Sequence, residues 1–142
     1  MKEHILFVCR GNVGRSQMAE ALLNKHSEKY IASSAGTKLS GPEQTIESLL
    51  PKTEHVLAVM KEEGVDISQH KRKQITPEMI QKFKKIILTI DQHDPVPDFL
   101  KIAGNTEIWE TEDPKGKDLD RTREIKDSLK KRIIQMEKDE HQ

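Results

Sequence analysis

Cys9 and Arg15 stand six residues apart, with Ser16 directly after the arginine and Arg10-Gly11-Asn12-Val13-Gly14 between them. A glycine-bearing turn that opens a helix points successive backbone N–H groups into one small concavity, and the positive end of the helix dipole adds to its pull on a tetrahedral anion. A cysteine at that position, beside a guanidinium, is held toward the thiolate, its nucleophilic form. Arg15 offers planar, paired donors that match phosphate oxygens better than an ammonium does. The combination describes a covalent phosphoryl-transfer site, with Cys9 as nucleophile and Arg10, Gly11, Asn12, Val13, Gly14, Arg15 and Ser16 as the anion cradle. The nucleotide-binding pattern G-x-x-x-x-G-K-[ST] is not matched, because arginine rather than lysine precedes the hydroxyl. A purely structural Cys9 would need none of the residues around it.

Such a cradle has to be carried by a strand on one side and a helix on the other. The apolar run Ile5-Leu6-Phe7-Val8 supplies the strand, and Gln17 to Leu23, with Met18, Ala19, Leu22 and Leu23 on one face, supplies the helix. Tyr30-Ile31-Ala32-Ser33-Ser34 reads as a second strand, followed by a loop at Gly36 and Gly41-Pro42. Ile46, Leu49 and Leu50 begin a helical face that Pro51 interrupts and Val56, Val59 and Met60 resume, with Gly64 as its stop. Thr76-Pro77-Glu78 is a helix start with Met79, Ile80 and Phe83 as its buried face. Lys85 to Ile90 is a third strand, Thr106 to Trp109 a fourth, and the stretch from about 119 to 136 an amphipathic helix with Ile125, Leu129, Ile133 and Met136 on one stripe. Alternating strands and helices predict a four-stranded parallel α/β sheet with helices on both faces. Its ligand site then lies at the carboxyl ends of the strands, where the turn after the first strand falls.

Residues 1–142 suffice for one domain and not two, and no repeat or linker divides them. Twenty-four basic residues balance 24 acidic ones, so no global field recruits nucleic acid or an anionic membrane, and any attraction for anions has to be local. A single cysteine excludes an internal disulfide and points to a reducing compartment. The charged start Met1-Lys2-Glu3-His4 and the short apolar run after it suit neither a signal peptide nor a spanning helix, so a cytoplasmic location is expected.

Attack by a thiolate on a phosphomonoester expels an oxyanion that leaves faster when an acid protonates it. Asp113, in Asp113-Pro114-Lys115-Gly116, is the candidate, although Asp, Pro and Gly are also the ordinary residues of a solvated turn. Ser16 is either a hydroxyl at the helix start or a donor to the Cys9 sulfur, and Asn12 tolerates the left-handed backbone a tight turn needs. His70 lies in the basic connector Ser68-Gln69-His70-Lys71-Arg72-Lys73, where a solvated ring is the ordinary reading. Asp91-Gln92-His93-Asp94 reads as a hydrophilic, proline-flanked loop, and no metal or other cofactor is assigned.

The run VCRGNVGRSQMAEA resembles the signature of the low-molecular-weight protein tyrosine phosphatases and of the arsenate reductases that share their fold. Ser33-Ser34-Ala35-Gly36-Thr37, Gly64-Val65-Asp66-Ile67-Ser68 and Glu112-Asp113-Pro114 resemble further family segments, in the family's order along nearly the whole chain. The resemblance implies a flavodoxin-like sheet and a phosphocysteine formed at Cys9. It also implies that Asp113 is the acid and later the base, that Ser16 is a donor to the thiolate, and that His70 supports the phosphate loop through Asn12. The substrate it implies is a phosphorylated protein, above all one bearing phosphotyrosine, or a small phosphomonoester, handled by a monomer. The alternative is reduction of arsenate with an external thiol of the glutathione or mycothiol type, since Ile90 to Pro97 lacks the cysteines of the thioredoxin-coupled reductases. A non-catalytic phosphate-binding module is the third possibility. Lys115 stands where many phosphatases of the family carry a tyrosine, and aromatic residues make up only 4% of the chain. The reductase branch also binds potassium near the cradle, at positions that Asn12, Glu20, Ser34 and Asp66 resemble.

Overall fold

Ile5, Leu6, Phe7 and Val8 are all buried at the centre of a four-stranded sheet in the computed structural model, which describes residues 2–139. Strand β1 (Glu3–Cys9) lies between β2 (Tyr30–Gly36) and β3 (Lys85–Ile90), and β4 (Thr106–Glu110) extends the sheet beyond β3. Every pairing is parallel, in the order β2-β1-β3-β4, with Cys9 opposite Gly36 and Val8 opposite Leu88. The expected parallel α/β sheet is therefore present.

The two-residue period of β1 divides the interior into two cores. Ile5 and Phe7 face Met18 and Leu22 of α1 (Arg15–His26), Val59 of α2 (Glu54–Glu62), and Ile125 and Leu129 of the last helix. Leu6 and Val8 face the opposite side, with Ile86, Leu88 and Leu100. The first face is covered by three helices, whereas the second is closed by a 3₁₀ segment, Pro77–Lys82, and the four-residue α3 (Asp98–Lys101). The last helix, α4 (Leu119–Asp139), runs slightly beyond its expected end, and its stripe of Ile125, Leu129, Ile133 and Met136 is buried as the periodicity requires.

Three local expectations are revised. Pro77 opens a 3₁₀ segment instead of an α-helix, because the segment has only six residues, Pro77–Lys82, before Phe83, which is already extended ahead of β3. Thr76 makes no side-chain cap there. Around Ile46 only one 3₁₀ turn forms, Glu47–Leu49; Ile46 is fully buried while Leu50 is 48% exposed, so the apolar face does not continue across Pro51. Helix α3 gave no periodic signal because it is a single turn, held by the burial of Leu100.

Candidate active site

The segment from Cys9 to Ser16 leaves the carboxyl end of β1 and turns into α1. Asn12 adopts φ of 54°, in the left-handed region that asparagine tolerates better than most residues. Gly36, at the end of the neighbouring strand, makes the tight loop possible. A Cβ there would sit 2.7 Å from the Arg10 carbonyl and 3.0 Å from the Asn12 nitrogen, both backbone atoms that cannot move aside. Gly14 likewise lets the loop close against the ring of Pro114, which a Cβ would meet at 2.9 Å.

Hydrogen bonds run in one direction through the loop. The Lys73 N–H donates to Asn12 Oδ1 at 2.8 Å, which fixes the amide so that its Nδ2 donates to Ser16 Oγ at 2.7 Å. With its lone pair accepting from Asn12, the Ser16 hydroxyl has its proton free for Cys9 Sγ, 3.0 Å away. Of the two readings of Ser16, the geometry thus favours the donor to sulfur. Cys9 is only 2% exposed, at the floor of a cleft of about 430 Å³.

Gln17 is a participant that sequence reasoning missed. Its Nε2 donates to the backbone and side-chain oxygens of Asn12 and to the Lys71 carbonyl, joining the cradle to the 71–73 connector. A polar residue on an otherwise buried helical turn was the available signal; Arg15, Ser16 and Gln17 are all buried.

Arg15 is 3% exposed and points toward the ends of β3 and β4. Its two terminal nitrogens donate to the two carboxylate oxygens of Asp94 at 2.7 and 3.2 Å, and Nη1 also donates to the Thr111 carbonyl at 3.1 Å. Asp94 is therefore not a merely hydrophilic loop residue: its side chain is 5% exposed and also accepts from the Asp91 N–H at 2.8 Å. Its position directly beyond β3, at the sheet edge where the cradle lies, was the cue that sequence offered. Burial opposes charge on both partners, yet the hydrogen bond that Arg15 donates to Asp94 and its electrostatic attraction to Cys9, Asp94 and Asp113 raise the Arg15 pKa. The Arg15 and Asp91 donors, against burial, hold Asp94 below the usual carboxylate value.

Asp113 also lines the cleft, its side chain 44% exposed, with Oδ2 at 3.8 Å from Arg15 and Oδ1 accepting from the Lys115 N–H at 2.9 Å. The cleft thus has the sulfur at its floor, the guanidinium beside it and a carboxyl group at its mouth. Leu39, Leu49, Val56 and Pro114 give it apolar walls, His55 also lines it, and no Phe, Tyr or Trp is among the described lining residues.

His70 takes a place other than the one the resemblance assigned. Its Nδ1 lies 3.5 Å from Glu20 Oε2 without a hydrogen bond, while Asn12 is held by the Lys73 N–H and Gln17. The 71–73 backbone runs alongside the loop and reaches Asn12 directly, which leaves the imidazole no part in that contact. Of the residues that the resemblance names for potassium, Glu20 and Ser34 meet directly. Glu20 Oε1 accepts from Ser34 at 2.8 Å, Asn12 Oδ1 accepts N–H donors, and Asp66 Oδ1 accepts from the Ser68 N–H at 2.9 Å. Among the described residues, no group of three His, Cys, Asp or Glu side chains is placed to hold a metal ion.

Comparison with known proteins gives a consistent picture. A relative named arsenate reductase 1, from Staphylococcus epidermidis, is 29% identical over 133 residues, 93% of this chain and 93% of its own length. A solved low molecular weight protein tyrosine phosphatase from T. tengcongensis superposes with a TM-score of 0.76 at 25% identity, covering 95% of this chain and 97% of that one. An arginine phosphatase from Geobacillus stearothermophilus superposes with a TM-score of 0.79 at 27% identity, covering 98% and 93%. The family model described as low molecular weight phosphotyrosine protein phosphatase matches residues 4–140, nearly the whole chain, and the chain belongs to that family.

Proposed function

We propose that the protein is a cysteine-dependent phosphomonoesterase acting on phosphotyrosine in proteins. The observation that carries this reading is the directed chain from Lys73 N–H through Asn12 and Ser16 to the Cys9 sulfur, at the floor of a cleft with Asp113 at its mouth. A binding module needs neither an O–H donor aimed at a sulfur nor a carboxyl group in the same cleft.

In the first step the Cys9 thiolate attacks phosphorus, an S–P bond forms, and the P–O bond to the leaving group breaks as Asp113 gives that oxygen its proton. Arg15 and the amides of residues 10–15 hold the three equatorial oxygens through the transfer. In the second step Asp113, now ionised, takes a proton from water as that water attacks phosphorus. The S–P bond breaks, phosphate departs, and the Ser16 hydroxyl stabilises the sulfur as its negative charge returns. Cys9, Arg15 and Asp113 are the catalytic residues in this account, and Ser16 acts on Cys9. The lone cysteine suits a reducing, cytoplasmic setting, and no helix among the described residues is long and apolar enough to cross a membrane.

A second reading is favoured by the relatives named arsenate reductase. Cys9 would attack arsenate with loss of water, an external thiol would attack the Cys9 sulfur as arsenite leaves with the electron pair, and a second thiol would then release Cys9 from the mixed disulfide.

Hydrolysis of p-nitrophenyl phosphate across pH separates the two. For a phosphatase, Cys9→Ser abolishes turnover and Asp113→Ala lowers kcat by about 100-fold or more, with loss of the basic limb that a protonated acid imposes. No hydrolysis by folded, reduced wild type, with arsenate reduction in the presence of external thiols, would instead support the second reading.

A further inference from the structure

The cleft wall carries far more positive charge than one phosphate needs. Arg10, Lys38, Lys52, Lys115 and Lys117 line it, and Asp113 is the sole carboxyl group among the lining residues. All five basic residues are exposed, and none makes an ion pair among the described residues. Glu112, whose pKa responds to the Lys117 charge, is already bound at both oxygens by Arg121. Elsewhere some cations are paired, Arg123 with Glu62 and Asp120, Lys126 and Lys130 with Glu63, and others such as Lys71, Lys73 and Lys82 are not; what sets the cleft apart is five such cations around one opening with a single carboxyl group. In a chain whose 24 basic and 24 acidic residues balance, an unpaired ring of five at one cleft is a local asymmetry that raises the mutual repulsion of its members.

Arg15 does not relieve the need for such a ring. Its charge is compensated at both terminal nitrogens by Asp94, which lessens the net charge that Arg15 itself offers an arriving dianionic phosphate. The ring is also distributed. Arg10 belongs to the cradle, Lys38 follows β2, Lys52 precedes α2, and Lys115 and Lys117 follow β4. Charge spread over four segments around the mouth does not make a single seat for a second phosphate on a compact molecule. It suits a chain that crosses the mouth and carries negative side chains on both sides of the esterified residue. With no Phe, Tyr or Trp among the described lining residues, flanking charge is the main source of selectivity.

We propose that the preferred substrate is a phosphorylated peptide segment with acidic residues flanking the phosphorylated side chain, recognised by Arg10, Lys38, Lys52, Lys115 and Lys117. The proposal rests on the phosphatase reading and adds the substrate class to it. Three phosphotyrosine peptides of equal length, flanked by Glu, Ala or Lys, test it against p-nitrophenyl phosphate and a small bisphosphorylated ester. In 20 mM salt, kcat/KM for the Glu-flanked peptide exceeds that for the Lys-flanked one by about 10-fold or more, and the ratio shrinks as salt approaches about 0.3 M. The Lys38→Gln, Lys52→Gln, Lys117→Gln triple variant lowers that ratio at least about threefold, even if its absolute rates change. A wild-type ratio near one, with p-nitrophenyl phosphate hydrolysed normally, overturns the proposal and leaves the phosphatase reading standing. A ratio that survives in the triple variant overturns the assignment to these lysines, and preference for the bisphosphorylated ester over every peptide overturns the peptide. Absence of all phosphate-ester hydrolysis overturns both readings together.

Discussion

Asp94 links the orientation of Arg15 to the loop after β3. Buried ion pairs add little over an apolar substitute, but removing one partner is costly because the other is left charged and dry. Asp94→Asn keeps one acceptor for Arg15 and loses the charge. Its expected cost is about 2–4 kcal/mol of unfolding free energy at pH 7, measurable by urea titration. Because the guanidinium then loses its two-point seat, kcat/KM for p-nitrophenyl phosphate falls by about 10- to 100-fold in the remaining folded protein. Cys9, Arg15 and Ser16 were legible in the sequence because they lie within eight residues of one another, on a turn whose glycines announce it. Asp94 was not, since its partner is 79 residues away and the loop around it has the composition of any surface turn. Gln17 was hidden for a related reason: its partner Lys71 is brought alongside only by the tertiary fold.

At the scale of elements, strands and long helices declared themselves through their burial period, while one-turn elements did not, because three to six residues hold too little of any period to recognise. Helix α4 shows a further limit of pattern reading. Lys126 falls beside its apolar stripe and reads as solvated, yet its side chain is 4% exposed and its Nζ donates to Glu63 Oε2 at 2.6 Å. Lys130 reaches the other Glu63 oxygen at 2.8 Å, so one carboxylate at the end of α2 ties that helix to α4. The two lysine hydrogen bonds, against a smaller burial penalty, pull the Glu63 pKa from 4.5 down to about 2. A depressed folded-state pKa contributes stability above the unfolded value that is lost as pH falls through the folded one. Glu63→Gln is therefore expected to lower stability by about 1–3 kcal/mol at pH 7. Wild type and variant should converge between pH 4.5 and 2, which denaturant titrations at stepped pH would show.

Across the whole molecule, the site is assembled at the carboxyl ends of β1, β3 and β4, while the core that holds those strands in place is completed only by α4. A chain ending at residue 118 contains Cys9, Arg15, Asp94 and Asp113 but uncovers the face on which Ile125, Leu129 and Ile133 pack. It is expected to show neither a cooperative unfolding transition nor p-nitrophenyl phosphate hydrolysis, although every proposed catalytic residue is present. Circular dichroism during heating, together with the hydrolysis assay, checks this.

Arg15 meets Asp94 and Thr111 across 79 and 96 residues of chain. During synthesis, a nascent polypeptide that has emerged only through β1 and α1 already exposes the thiol and the arginine, but nothing yet holds the guanidinium against the loop. The full environment of the nucleophile is created only once β3, β4 and α4 have all been made and can dock. Time on the ribosome thus separates making the reactive residue from arming it.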